Sequence, residues 1–153
     1  MSLRNTIDED YKKSIKNKDQ NKINTLRLIR SAIKDKDISS RSSENKEDIG
    51  DPEILTLLIS LIKQRKDSIE QFQKAKRDDL IKNEQSEIDI INQYLPNQKS
   101  EEETEIIVDD LIKIHNLENL KDMGKLMGFI KKNYPGEVDL GLVGKIAKSK
   151  LGN

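Results

Sequence analysis

The stretch DPEILTLLISLIKQRKDSIEQFQKAKRDDLIKNEQSEIDIINQYLP (Asp51–Pro96) decides the fold. Asp51-Pro52 reads as a helix start, a capping aspartate followed by proline at the first helical position, where a missing N–H costs nothing. Leu55, Leu58, Ile62, Arg65, Ile69 and Phe72 then recur at alternating spacings of three and four, which lays them along one helical seam. A polar turn around Ala75–Asp79 follows. Beyond it Leu80, Glu84, Glu87, Ile91 and Tyr94 run back, flanked by Ile81, Ile88 and Leu95, until Pro96 stops the helix. Two long helices with a short turn predict an antiparallel hairpin. Glu84 and Glu87 interrupt the returning seam opposite Arg65. A bridge between them is one reading; a partly solvated contact is the other, favoured by the low worth of exposed ion pairs.

Toward the N-terminus, Ser2 can cap a first helix with Leu3, Ile7, Tyr11 and Ile15 on one face. After a break near Lys18–Asn21, a second helix carries the stripe Ile23, Leu26, Ile29 and Ile33. Asp37–Gly50 (DISSRSSENKEDIG), poor in apolar residues and rich in Ser, Asn and charge, reads as a loop. Toward the C-terminus, Ser100 with Glu103 is a capping box. Three short helices are expected, near Ser100–Asn116, Asn119–Asn133 and Asp139–Leu151, with Asn119 and Asp139 as N-caps and Pro135-Gly136 as a turn. No strand pattern and no internal repeat occurs. The expectation is an all-α protein: an N-terminal helical domain over residues 1–96, built on the hairpin, and a three-helix tail over residues 97–153.

Composition agrees. A chain of 153 residues with 33% apolar, 37% charged and 3% aromatic content suits amphipathic helices with wet outer faces, not a sandwich or barrel. The absence of cysteine excludes disulfides and thiolate metal sites. No apolar run approaches a membrane span, and MSLRNTIDEDYKK lacks the apolar core of a secretory signal, so a soluble cytoplasmic protein with no membrane partner is expected.

Net charge is zero, but its distribution is uneven. Residues 1–36 hold ten basic and five acidic groups, residues 100–118 one lysine and seven acids, and residues 119–153 seven lysines and three acids. The acids from Glu101 to Glu105 open a helix, where carboxylates favour the dipole. Arg27, Arg30 and Lys34 share one helix, and Lys12, Lys13 and Lys16 lie on the helix before. Together they could form a positive surface able to take phosphates.

Catalytic constellations are missing. His115, the sole histidine, ends a helix and has no cysteine or second histidine with which to share a metal. There is no nucleophile elbow, phosphate-binding loop or dinucleotide fingerprint. No catalytic residue, metal site or cofactor is therefore assigned.

Five of the seven glycines fall within KDMGKLMGFIKKNYPGEVDLGLVGKI (Lys121–Ile146). An interior helical glycine costs roughly 1 kcal/mol relative to alanine. Gly124 and Gly128 stack on one helix face, and Gly141 and Gly144 on the next. Bare strips let two helices approach closely, or let an external sugar–phosphate chain do so near helix N-termini. Met123, Leu126, Met127 and Ile130 are core candidates either way.

Three segments in this order, TLRLIRSAIKDKDI (Thr25–Ile38), EIDIINQYLP (Glu87–Pro96) followed by SEEE, and KDMGKLMGFIKK (Lys121–Lys132), resemble the YqeY-like (GatB/YqeY) family across essentially the whole chain. The resemblance implies an N-terminal helical part and a small helical tail, similar to the tail of the B subunit of glutamyl-/aspartyl-tRNA amidotransferase. That tail helps hold tRNA while amide transfer occurs elsewhere. The family label is carbon–nitrogen ligase with glutamine as amide donor. The resemblance points to Lys121, Gly124, Lys125 and Gly128 on the glycine-bearing helix, and Asp139 and Val143 fit the start of the last helix. Leu140-Gly141 stands where the family often has a Gly-Lys or Pro-Lys pair, which removes one possible phosphate contact.

The expected function is a tRNA-binding accessory module associated with tRNA-dependent amidation, without an active site of its own. Its contacts would be Lys121, Gly124, Lys125 and Gly128 together with Arg27, Arg30 and Lys34. Its protein partner would be an amidotransferase or aminoacyl-tRNA synthetase. Few aromatic residues are available for base stacking, so contact would be through phosphate and shape. The rivals are a protein–protein adaptor using the helical seam and glycine strips, and a helix-turn-helix DNA binder formed by the last three helices. The final helix offers few base-reading side chains for the latter.

Overall fold

The helix start read at Asp51-Pro52 is displaced by one residue. Gly50 is the N-cap, and the Glu53 carboxylate accepts its N–H at 3.1 Å, so α3 runs Asp51–Lys74 with proline in its first turn. Asp51 is thereby released from capping its own helix. Its carboxylate accepts the Leu3 N–H at 3.2 and 3.3 Å, one of the donors that the first turn of a helix leaves unpaired. The helix so served, α1 (Leu3–Lys16), is capped by Ser2 as expected. α2 spans Gln20–Ser40 and α4 spans Asp78–Asn92. The computed structural model describes residues 2–44 and 46–152, and among these the chain is all-α, with no strand. It divides between Leu95 and Pro96 into two compact units.

In the first unit Ile7 of α1, Leu26 and Ile29 of α2, Ile54 and Leu58 of α3 and Ile91 of α4 are each at most 1% exposed. Ile54 and Leu61 turn inward where the seam reading placed Leu55, which is only partly buried. Ile15, expected on the buried face of α1, is 49% exposed. Ser14 is buried in its place, with its hydroxyl donating to the Tyr11 carbonyl at 2.7 Å. At Tyr94 the phenol donates to the Asp10 carboxylate at 2.6 Å, and burial together with that bond pushes its pKa well up.

Arg65 forms the ion pair that the solvated reading discounted. It is 7% exposed, its Nε lies 2.7 Å from Glu87 Oε2, and its Nη1 donates to the Leu61 carbonyl at 2.9 Å. Burial and the nearby Glu87 raise the pKa of Glu84, against the pull of Arg65.

Three helices end with a left-handed residue that is not glycine: Lys18, Lys76 and Asn116, with φ of 57°, 55° and 52°. Each is followed by the long backbone bond of a Schellman motif, from Asp19 N to Ser14 O, Arg77 N to Phe72 O and Leu117 N to Ile112 O, at 3.0, 2.9 and 3.0 Å. These bonds close the carbonyl ends that would otherwise stay unpaired.

The expected loop Asp37–Gly50 is shorter than its composition suggested, because α2 continues through Asp37 to Ser40. Asp37 is 5% exposed. Its carboxylate accepts both terminal nitrogens of Arg4 at 2.9 Å and the Ile49 N–H at 2.9 Å, while Arg4 Nη2 also reaches the Ile49 carbonyl at 3.0 Å. Start of α1, end of α2 and end of the following segment are joined at one carboxylate.

The second unit holds α5 (Glu101–Ile114), a 3-10 turn (Leu120–Asp122), α6 (Met123–Asn133) and α7 (Leu140–Leu151). The capping box of Ser100 and Glu103 forms. Val108, Leu126, Ile130, Val138, Val143 and Ala147 make a core of its own, each at most 2% exposed. Met123 and Met127 pack against it. Gly136 adopts φ 74°, which side-chain-bearing residues disfavour, and its carbonyl accepts from the Gln98 amide. Lys150 of α7 reaches Asp109 at 2.7 Å and Glu105 at 3.5 Å on α5.

The Arg4 guanidinium holds the Asp37 carboxyl below its ordinary pKa, with the Ile49 N–H adding to the effect and burial opposing it. A depressed carboxyl contributes stability above its unfolded pKa and loses it as pH falls through the folded value. Asp37→Asn is expected to destabilise the first unit by roughly 2–3 kcal/mol at neutral pH. The gap between wild type and variant should narrow below the ordinary carboxylate range, as read by urea midpoints across pH.

Candidate nucleic-acid interface

The glycine-bearing helix is set up by its preceding turn. Asn119 accepts from the Lys121 N–H at 3.0 Å, and the Asp122 carboxylate accepts from the Glu118 N–H at 2.8 Å, which with other backbone bonds holds its pKa low. α6 then turns Leu126 and Ile130 fully inward. That register places Gly124, Lys125 and Gly128 on the outer face, with Lys121 exposed in the turn before.

At Gly124 and Gly128 an added Cβ would meet no atom of the described residues within 4 Å apart from the adjoining residues and the helix's own backbone, and the same holds at Gly144 on α7. Close helix packing at these three positions, one of the two readings of the glycine strips, is therefore overturned. Lys121 makes no ion pair among the described residues. The Lys125 side chain is 72% exposed, with its ammonium 3.9 Å from Asp122 Oδ1. Asp139 caps α7, accepting from the Gly141 N–H at 2.9 Å.

The second set of expected contacts lies in the first unit. Arg27, Arg30 and Lys34 share the exposed side of α2 and, with Arg4, Asp8, Ser31, Ile33 and Asp37, line a groove of about 360 Å³ between α1 and α2. Arg30 Nε pairs with Asp8 Oδ1 at 2.8 Å, and its guanidinium lies 4.4 Å from the centre of the Tyr11 ring. Arg27 Nε donates to the Tyr11 hydroxyl at 3.3 Å. Lys34 makes no ion pair among the described residues. The role of Asp8 escaped the sequence reading, although its spacing from Arg4 places both on one face of α1.

His115 stacks on Phe129, with ring centroids 3.7 Å apart and planes 10° from parallel. No group of three or more metal-ligating side chains occurs among the described residues. Nor is any described helix long and apolar enough to cross a membrane.

The all-α structure of the described residues agrees with the family resemblance of the sequence motifs. The chain belongs to the YqeY-like protein family, whose model matches residues 4–151. Among curated proteins it is similar to "Altered inheritance of mitochondria protein 41, mitochondrial" from three yeasts. The Kluyveromyces lactis protein is 34% identical over 136 residues, covering 86% of this chain and 71% of that protein. The Lachancea thermotolerans protein is 39% identical over 100 residues, 65% of this chain and 51% of that protein. The Saccharomyces cerevisiae protein is 41% identical over 86 residues, 56% of this chain and 44% of that protein. The match thus spans about half the length of the latter two.

Open glycines predict an unusual stability response. Gly128→Ala is expected to raise the unfolding free energy by roughly 0.5–1 kcal/mol, and Gly124→Ala by less because it sits in the first turn of α6. Thermal melting of the two variants checks this; a lowered melting temperature would mean that something packs against the strip.

Proposed function

We propose that this protein is a tRNA-binding accessory module associated with tRNA-dependent amidation, without an active site of its own. The observation that carries the reading is the open glycine strip of α6 beside Lys121 and Lys125. It leaves helix backbone bare where, among the described residues, nothing beyond the helix's own backbone comes within 4 Å of an added Cβ. Bare backbone edged by cations suits a sugar–phosphate chain, which needs close approach and charge neutralisation more than base readout. Arg27, Arg30 and Lys34 add phosphate contacts on the first unit. The proposal includes a bundle built on the α3–α4 hairpin followed by a tail like that of the amidotransferase B subunit. It also includes an amidotransferase or aminoacyl-tRNA synthetase as protein partner. The yeast relatives are named as mitochondrial proteins, so the expected cytoplasmic setting widens to wherever such a tRNA is used.

A second reading, a protein–protein adaptor, is favoured by Ile106 and Ile114 of α5, which are 60% and 68% exposed. Nuclease treatment separates the two, since an adaptor complex survives it.

Labelled tRNA titrated at two salt concentrations is expected to bind more weakly at the higher one, with a log–log slope of about one per phosphate contact. Replacing Lys121 and Lys125 together by glutamine should reduce that slope by about two. Equal affinity for an unrelated RNA duplex, or no binding at low salt, sinks the proposal.

A further inference from the structure

The groove between α1 and α2 contains more hydrogen-bond donors than the protein uses. Arg27 and Arg30 each commit only Nε, to the Tyr11 hydroxyl and to Asp8. Their terminal nitrogens have no acceptor among the described residues, and neither the Lys34 ammonium nor the Ser31 hydroxyl has one. By contrast, Arg4 and Asp37 satisfy each other through two bonds of 2.9 Å and form a fixed wall. Four cations and two carboxylates line the groove, which leaves it an excess of two positive charges.

We propose that this groove receives the terminal phosphate of a phosphate ester, and that Asp8 holds the place of that phosphate while the groove is empty. A carboxylate on Arg30 is the protein's own version of an oxyanion on a guanidinium. With side chains 45% and 41% exposed, the Arg30–Asp8 pair lies within reach of solvent and of an incoming competitor. A guanidinium offers a planar fork to phosphate oxygens. The excess charge matches a phosphomonoester, which carries nearly two negative charges at neutral pH, better than an internal phosphodiester, which carries one. Tyr11 contributes by holding Arg27 through its hydroxyl and Arg30 against its ring. The ring face under Arg30 is then unavailable for stacking a base, so the groove selects the phosphate and not the base attached to it.

The ligand is the 5′-phosphate end of an RNA. Only this choice of ester rests on the tRNA reading; the oxyanion chemistry stands without it. The test uses the full chain and three probes: a short 5′-phosphorylated RNA, the same RNA with a 5′-hydroxyl, and inorganic pyrophosphate. The phosphorylated RNA is expected to bind about tenfold more tightly than its hydroxyl twin. Arg27→Gln and Lys34→Gln should each abolish most of that preference with the circular dichroism spectrum unchanged. Asp8→Asn, which removes the competing carboxylate, should increase affinity several-fold, a gain that a merely structural Asp8 would not produce. Lys121→Gln on α6 should leave the preference intact, so failure of the tRNA proposal and failure of this one are distinguishable. Pyrophosphate binding with the same dependence on Arg27 and Asp8, without discrimination between the RNAs, supports the site and reassigns its ester to a free phosphate compound. Equal binding of both RNAs with no pyrophosphate binding, or affinities unmoved by all three groove substitutions, overturns the proposal.

Discussion

The Asp37 carboxylate is the constraint on which the N-terminal unit depends. It sits near the end of α2, is nearly excluded from solvent, and receives hydrogen bonds from Arg4 on α1 and from the backbone at Ile49. A buried carboxylate is tolerable only when its lone pairs are occupied, and here three donors arrive from two separate segments. One residue later in the same stretch, Gly50 caps α3, and Asp51 returns a carboxylate to the free N–H of Leu3. The two acids therefore tie the segment at both ends of a short span. They set where α3 begins relative to α1, and the hydrophobic contacts among Ile7, Leu26, Ile54 and Leu58 follow from that register. The same Arg4–Asp37 pair lines the groove of Arg27 and Arg30, so the constraint that aligns the helices also shapes the cationic surface.

Helix periodicity carried most of this architecture in the sequence, because alternating spacings of three and four have few other interpretations. What it lost came from two sources. Residues whose burial depends on a distant partner were read by composition alone: Asp37 looked like the start of a polar loop, and Arg65 like a solvated contact. Each is buried because an opposite charge arrives from far along the chain, Arg4 in one case and Glu87 in the other. The second source was register at helix starts. An Asp-Pro pair satisfies the rule for an N-cap, yet Asp51 serves another helix and glycine takes the cap. The Schellman ends at Lys18, Lys76 and Asn116 lacked the glycine that usually signals them, although polar breaks still marked the right places.

The candidate surface was legible in part. The sequence supplied the cations and the glycines but not their occupancy. Arg30 is already engaged by Asp8 and Tyr11, and Lys125 lies near Asp122, so the basic residues differ in how freely they can meet a phosphate. Such neutralisation comes from Asp8 on another helix and from Asp122 three residues before Lys125, and a count of charge does not tell which acid reaches which cation.

The glycines of the second unit separate into two physical kinds. Gly136 is required by its backbone, since φ of 74° at a turn disfavours any side chain. Gly124 and Gly128 are required by nothing among the described residues, since a methyl group at either would stand in open space. Helix propensity favours alanine at both, more strongly at the interior Gly128. Stability alone therefore gives no reason for glycine on this face, whereas it accounts fully for the apolar residues on the opposite one. The same helix shows two faces: Leu126 and Ile130 are buried in the core with Met127 and Phe129 packed against it, while Gly124, Lys125 and Gly128 are exposed to approach from solvent. A flat, methyl-free ridge admits that approach at the shortest backbone distance. The lysines beside it supply attraction that depends on charge and distance and places little demand on side-chain shape. This combination suits a ligand with a regular charged backbone better than one that must fill a pocket.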